Sequence, residues 1–118
     1  MMDNYKEDRP WGNFENLLDN DKCKVKRIII KPGESPSYQY HFKRSEVWVI
    51  VEGSGELKLN DEIMNVVAGD VLQIPIEAKH QIKNTSTTDT NLVFIEVQLG
   101  TYFGEDDIVR LEDSYGRV

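Results

Sequence analysis

The feature that most constrains this chain is the absence of any stretch of ten or more residues with helical hydrophobic periodicity. From Arg9 onward, glycine, proline and asparagine interrupt the sequence continually. The segments between them are short and rich in β-branched residues, which favours strands. Residues 25–31, 46–51, 56–59, 63–67, 71–74, 80–83 and 92–99 all read as strands. Breaks fall at Pro32-Gly33, Gly53-Ser54-Gly55, Gly69-Asp70 and residues 85–89, and Asn60-Asp61 suggests a hairpin turn without the customary glycine. Seven or more closely spaced strands predict an all-β sandwich or barrel. Residues 1–8 read as a loose polar lead and 9–118 as one domain, within which the acidic segment starting at Gly104 is expected to form a short C-terminal helical turn.

Two strands say more. Glu46-Val-Trp-Val-Ile-Val is apolar on both faces after its first residue, as in a strand covered on both sides. The outer cover is expected from the N-terminal arm or from a second subunit, which makes a homodimer the expected assembly. In residues 92–99, Val93, Ile95, Val97 and Leu99 make one apolar face, while the alternate set Leu92, Phe94, Glu96 and Gln98 turns polar at its end.

Charge and composition narrow the function. Fourteen lysines and arginines against 21 acidic residues leave a net charge of −7, which argues against a nucleic-acid surface. An anionic substrate would need locally focused Lys and Arg. No apolar run approaches the roughly 20 residues of a membrane span, and the polar start MMDNYKEDRPWG has no signal-peptide core. The one cysteine, Cys23, leaves no intramolecular disulfide or Cys-rich zinc site. The expectation is a cytoplasmic protein with no membrane partner.

The chain has two histidines, His41 and His80. Gln39 and His41, two apart, share a strand face. Glu46 follows after a short segment that can return its carboxylate to the same place, and His80 lies just after Pro75. One amide oxygen, two imidazoles and a carboxylate make a reasonable site for one divalent metal ion, with positions left for water or substrate oxygens. Short histidine patterns are not specific, and a lone histidine on a strand is ordinarily structural.

The spacing also fits a known pattern. Gly33, Gln39, His41, Glu46 and Gly53 resemble the first cupin motif, with Gln in place of its first His. Gly69, Pro75, His80 and Asn84 resemble the second. Arg9-Pro-Trp-Gly, Lys24-Val-Lys-Arg-Ile, Arg44-Ser-Glu-x-Trp48, Ile95-Glu-Val-Gln, Gly104-Glu-Asp-Asp-Ile and Glu112-Asp-Ser-Tyr-Gly-Arg117 narrow the resemblance to the type II phosphomannose isomerase domain. That domain is usually the C-terminal part of bifunctional isomerase/guanylyltransferases. The resemblance implies a cupin jelly-roll barrel, a divalent metal at Gln39, His41, Glu46 and His80, and interconversion of mannose 6-phosphate with fructose 6-phosphate in polysaccharide precursor synthesis. Zinc is the metal it favours, with cobalt, manganese, nickel or iron as alternatives. A guanylyltransferase would act as a separate partner, because the Gly-rich nucleotidyltransferase fingerprint is absent.

The sequence departs from the family at several places. Phe42-Lys43 replaces two histidines, Val47 replaces the His after Glu46, Glu77 stands where the family has Gly, and Gln81 stands where it has Arg. These changes keep a non-catalytic sugar- or metabolite-binding cupin open as an alternative. A cupin dioxygenase is the third reading, disfavoured by Gln39 because iron oxygenases prefer histidine.

Isomerisation needs a polariser, a base and a phosphate anchor. Arg44, between two ligands, is the first candidate for binding phosphate or a developing oxyanion, and Lys43 the second. With both histidines spent as ligands, the base falls to Glu96, Lys43 or a metal-bound hydroxide, although a solvent-facing carboxylate is the commoner role for a residue like Glu96. Tyr38, Tyr40 and Trp48 are expected to wall the substrate pocket, Trp11 to pack the N-terminal arm, and Arg27 to serve as a structural ion-pair partner.

Overall fold

The β-branched segments pair into two antiparallel sheets in a computed structural model that describes residues 4–113 and 115. The strands, in chain order, are β1 (Lys6–Arg9), β2 (Gly12–Asp19), β3 (Cys23–Ile30), β4 (Tyr38–Tyr40), β5 (Arg44–Glu52), β6 (Ser54–Leu59), β7 (Glu62–Val67), β8 (Val71–Ile74), β9 (His80–Asn84), β10 (Leu92–Gly100) and β11 (Val109–Glu112). One sheet has the order β1-β2-β3-β10-β5-β8, the other β11-β4-β9-β6-β7. The architecture is the all-β cupin jelly roll that the sequence predicts. No helix among the described residues is long and apolar enough to cross a membrane.

The turns have identifiable causes. Asn60 and Asp61 both take positive φ, 47° and 70°, in the two-residue β6–β7 hairpin, as Asn and Asp tolerate. The Asp61 N–H donates to the Tyr38 hydroxyl at 2.9 Å, and that hydroxyl donates back to the Asp61 carboxylate at 2.8 Å. At Gly53 (φ 85°) a Cβ would stand 2.4 Å from the Asn91 carbonyl, so only glycine lets β5 turn into β6 that close to the start of β10.

The barrel interior is layered, and the layers follow from strand register. Phe94 stands opposite Ile28 on β3 and Ile50 on β5; one step on, Glu96 stands opposite Lys26 and Trp48; the next step sets Gln98 opposite Lys24 and Glu46. All nine of these side chains are buried. The inner face therefore runs from an apolar floor, continued by Ile30, Leu57, Val66, Ile74, Ile82 and Leu92, to a polar upper half. Asn84 closes the floor: its Nδ2 donates to the carbonyls of Ile30 and Thr90, each at 2.9 Å.

Several elements differ from expectation. The lead read as loose carries β1, and the polar β2 follows it; neither has the β-branched signature, and both are fixed by pairing onto β3. The short β4 was also invisible in the composition. The expected C-terminal helical turn is not formed. A tight turn, with the Asp107 N–H donating to the Gly104 carbonyl at 3.2 Å, leads instead into β11, which pairs with β4. The segment is held extended because the Asp107 carboxylate accepts hydrogen bonds from the Phe42 and Lys43 N–H groups, both at 3.0 Å. The outward face of β5 is not covered by the chain's own arm, since Val49 and Val51 remain 38% and 54% exposed. Arg27 pairs with Glu15 on the outside of β2 and β3, and Trp11 packs into the core.

Glu77 adopts φ 66° while its N–H donates to the His41 carbonyl at 2.8 Å. A β-carbon in this left-handed conformation costs about 1–2 kcal/mol. Glu77→Gly is expected to stabilise the protein by about 1 kcal/mol, raising Tm by a few degrees in a thermal melt. An unchanged or lower Tm would count against strain at this position.

Candidate metal and acid–base site

The polar upper half of the barrel surrounds a cavity of about 100 Å³. Gln39 on β4 lies directly opposite His80 on β9, and His41, two residues beyond Gln39, enters the same cavity. Glu46 arrives from β5. His41, Glu46 and His80 are all buried, and each offers one ligand atom such that the three lie within 4.8 Å of one another. His41 Nε2 is 3.4 Å from Glu46 Oε2, and His80 Nε2 is 4.0 Å from Glu46 Oε1.

The protein fixes which imidazole nitrogen is offered. His41 Nδ1 lies 2.6 Å from the Asp107 carbonyl, and His80 Nδ1 lies 2.9 Å from the Ala78 carbonyl. A carbonyl only accepts, so both Nδ1 atoms carry hydrogen and both Nε2 lone pairs face the cavity. This is the outer-shell arrangement that orients metal-binding histidines. Burial pushes the pKa of His41 down to about 4, with Arg44 and His80 adding to the effect, and burial likewise lowers His80. Both rings are therefore neutral at pH 7, the form in which imidazole ligates. The donor set of two neutral nitrogens and a carboxylate fits a divalent ion. Gln39 turns its amide nitrogen to the Ser37 carbonyl at 3.3 Å and hydroxyl at 3.2 Å, so its amide oxygen is the atom it could offer to an ion.

Glu46 is also bound on its other sides. Arg44 Nε donates to its Oε2 at 2.8 Å and Trp48 Nε1 to its Oε1 at 2.9 Å. Glu96, 5% exposed, hydrogen-bonds to Glu46 and accepts from Gln98 Nε2 at 2.8 Å. Desolvation first, and then the charge of Glu46, push its pKa up to about 7. A second buried carboxylate beside the first is costly, which favours the protonated form of Glu96. Glu96 is thus not the solvent-facing carboxylate that residue statistics favour. It is a buried group poised to gain or lose a proton near neutrality.

The other anticipated site residues divide. Arg44 and Trp48 line the cavity; Lys43 and Tyr40 are not among the residues that do. Lys43 is exposed, with its ammonium 5.2 Å from the Tyr102 ring centre, and Tyr40 packs edge-on against Phe42. Tyr38 sits with its hydroxyl on Asp61 and Lys58 over its ring. Strand alternation explains Tyr38 and Tyr40, which flank the inward Gln39 on β4, while Lys43 lies in the bend that precedes β5. By the same rule Val47, beside Glu46, faces out of the barrel. Cations that sequence reasoning did not assign to the site also line the cavity: Arg9, Lys26 and Arg110. Lys26 forms an ion pair with Glu105. Asp107, which anchors both His41 and the backbone of residues 42 and 43, was missed as well; the only signal for it was the Gly104-Glu-Asp-Asp-Ile pattern.

Comparison with known proteins identifies the chain's family and fold. The family described as mannose-6-phosphate isomerase C-terminal matches residues 2–113. The xanthan biosynthesis protein XanB of Xanthomonas campestris pv. campestris (strain B100) is 42% identical over 110 residues, covering 93% of this chain and 23% of that protein. The mannose-1-phosphate guanylyltransferase ManC of Salmonella typhimurium is 41% identical over 110 residues, covering 93% and 22%. The chain thus spans about a quarter of the length of the curated relatives it matches. Among solved structures, the capsular polysaccharide assembling protein CapF from Staphylococcus aureus superposes with a TM-score of 0.79 at 26% identity, covering 95% of this chain and 33% of that one.

The opposed pKa shifts give a pH signature in chelator-treated protein. The histidines, lowered on folding, contribute stability that is full above about pH 6.5 and lost as pH falls towards about 4. Glu96, raised from 4.5 to about 7, contributes stability that is full below about pH 4.5 and lost as pH rises through about 7. Glu96→Gln removes the second contribution and, by removing a charge that raises both imidazoles, deepens the first. Urea unfolding is expected to show stability rising more steeply with pH in the variant than in wild type between about pH 4.5 and 7. Parallel profiles would mean that Glu96 is ordinary in its titration.

Proposed function

This chain belongs to the mannose-6-phosphate isomerase C-terminal family, and from that premise we propose that it is a metal-dependent aldose–ketose isomerase acting on a sugar phosphate, interconverting mannose 6-phosphate and fructose 6-phosphate. The observation that carries this reading is the buried carboxyl of Glu96 hydrogen-bonded to Glu46 in the cavity that holds His41 and His80. A proton-transfer group and a divalent-ion site lie side by side, as the reaction needs.

The residues divide the work. His41, Glu46 and His80, joined by Gln39, would hold the ion, zinc in this reading, which supplies polarisation of a substrate oxygen. Glu96 takes the proton from one sugar carbon and returns it to the neighbouring one; Gln98 holds its second oxygen in place. Arg44 Nη1 is buried without a hydrogen-bond partner, a donor suited to the oxyanion that develops between C1 and C2. Arg9, Lys26 and Arg110 bring positive charge to the lining for the phosphate. Trp48, tilted against Phe94 at 4.6 Å and edge-on to His80, lines the pocket just above the apolar floor.

The alternative of a non-catalytic sugar- or metabolite-binding cupin drew on Lys43, Val47 and Gln81. Only Gln81 lines the cavity, where its Nε2 donates to the Pro36 carbonyl at 3.1 Å. The guanylyl transfer named for ManC would be the partner activity in nucleotide-sugar synthesis. A homodimer is the assembly proposed to cover the outer faces of β5, β8 and β10, where Val49, Val51, Val71 and Leu99 are exposed.

A coupled assay with mannose 6-phosphate after loading with zinc, cobalt or manganese tests the activity. His80→Ala is expected to lose metal and turnover together. Glu96→Gln should keep the metal and lower kcat by about 10²–10⁴. Fully metallated wild type that binds mannose 6-phosphate yet exchanges no C2 proton with solvent would rule the isomerase out. For the assembly, sedimentation at micromolar concentration is expected to give a dimer, and Val51→Lys a monomer of unchanged fold; a monomeric wild type refutes the dimer.

A further inference from the structure

Arg44 stands in an unusual position for a residue assigned to substrate. Its side chain is only 6% exposed. Nε donates to Glu46 Oε2 at 2.8 Å, while Nη2 lies 3.1 Å from His41 Nε2. Because His41 Nδ1 carries the hydrogen that meets the Asp107 carbonyl, Nε2 is an acceptor with a single lone pair. The guanidinium, always charged and without acceptors, donates into that lone pair, which is also the one the metal-ligand cluster offers.

We infer that Arg44 is a built-in cation that competes with the metal for His41, so that loading the site requires its Nη2 to release His41 and Arg44 sets the metal affinity. The inference rests on the metal-binding reading of the site. One lone pair serves one cation at a time, so the two interactions exclude each other. The contact to Glu46 need not break, because a carboxylate has several lone pairs. A guanidinium held this close to a divalent ion also repels it, and burial leaves that repulsion poorly screened. Removing Arg44 does not leave Glu46 unoriented, since Trp48 Nε1 still holds Oε1.

The sign of one measurement separates this role from an orienting one. The full chain is stripped with chelator, and wild type and Arg44→Met are titrated with Co2+ by absorbance and with Zn2+ against a competing chelator. Methionine keeps an apolar stem without charge. The variant is expected to bind both ions about tenfold or more tightly than wild type. A partner that merely orients a ligand gives the opposite result on removal, about 10–100-fold weaker binding. Equal or weaker binding by a folded variant, with wild type binding normally, overturns the competition and leaves the metal site standing. Failure of both proteins to bind either ion overturns the competition together with the metal site. Should Arg44→Met not fold, side-chain 15N NMR of wild type supplies the answer. Zn2+ is expected to shift His41 Nε2 and abolish the hydrogen-bond signature between Nη2 and His41; its persistence in zinc-loaded protein overturns the proposal.

Discussion

Everything above the barrel floor depends on the carboxylate of Glu46. It accepts from Arg44 and Trp48, faces the Nε2 atoms of both histidines and hydrogen-bonds to Glu96. An anion this buried persists only when its lone pairs are used. Here they are used by groups that come from β5 and β10 and from the segments that open β9 and follow β4. Both sheets therefore converge on one carboxylate. The fold does not simply present a site; the charge at its centre is part of what ties the two sheets together at that end.

The same convergence sets the chemistry. Glu46 and Glu96 have the same functional group and neighbouring positions, but their surroundings divide their roles. Glu46 is met by a guanidinium and an indole N–H. Glu96 meets an amide and the charge of Glu46, which favours keeping its proton. The main-chain carbonyls of Ala78 and Asp107 make the corresponding choice for the imidazoles by fixing the tautomer. Glu77 belongs to this frame too, because its backbone N–H, in a left-handed conformation, holds the carbonyl of His41 just after β4.

Much of this was legible in the chain. The i, i+2 spacing of Gln39 and His41 and the turn before Glu46 follow from strand geometry, and the seven apolar strands follow from β-branched runs and their punctuation. The strands that β-branched runs do not mark, β1, β2, β4 and β11, are short or polar and exist because a neighbour pairs with them, which composition cannot express; β4 shows only through the Gln39–His41 spacing. The tail was read as helical from its acidic start, but Asp107 is engaged by the backbone of residues 42 and 43 from far along the sequence. Lys43 and Tyr40 were placed at the site by proximity in sequence; alternation turned Tyr40 away, and Lys43 lies in the bend before β5. Glu96 was underestimated for the converse reason: its strand's second apolar face, made of Val93, Ile95 and Val97, points outward, so the face ending in Glu96 and Gln98 is the interior.

The stacked layers inside the barrel divide the chain's freedom to change. The level of Ile28, Ile50 and Phe94 lies beneath the reactive groups, and Ile28 and Phe94 give the cavity its apolar lining there. A change at Ile50, which does not line the cavity, is absorbed as a packing adjustment against an apolar floor, whereas the level of Lys26, Trp48 and Glu96 brings polar groups to the cavity. A lineage of such barrels can therefore exchange its upper two tiers for a new chemistry while inheriting the lower ones intact, and the boundary between what is inherited and what is reinvented runs along the indole of Trp48.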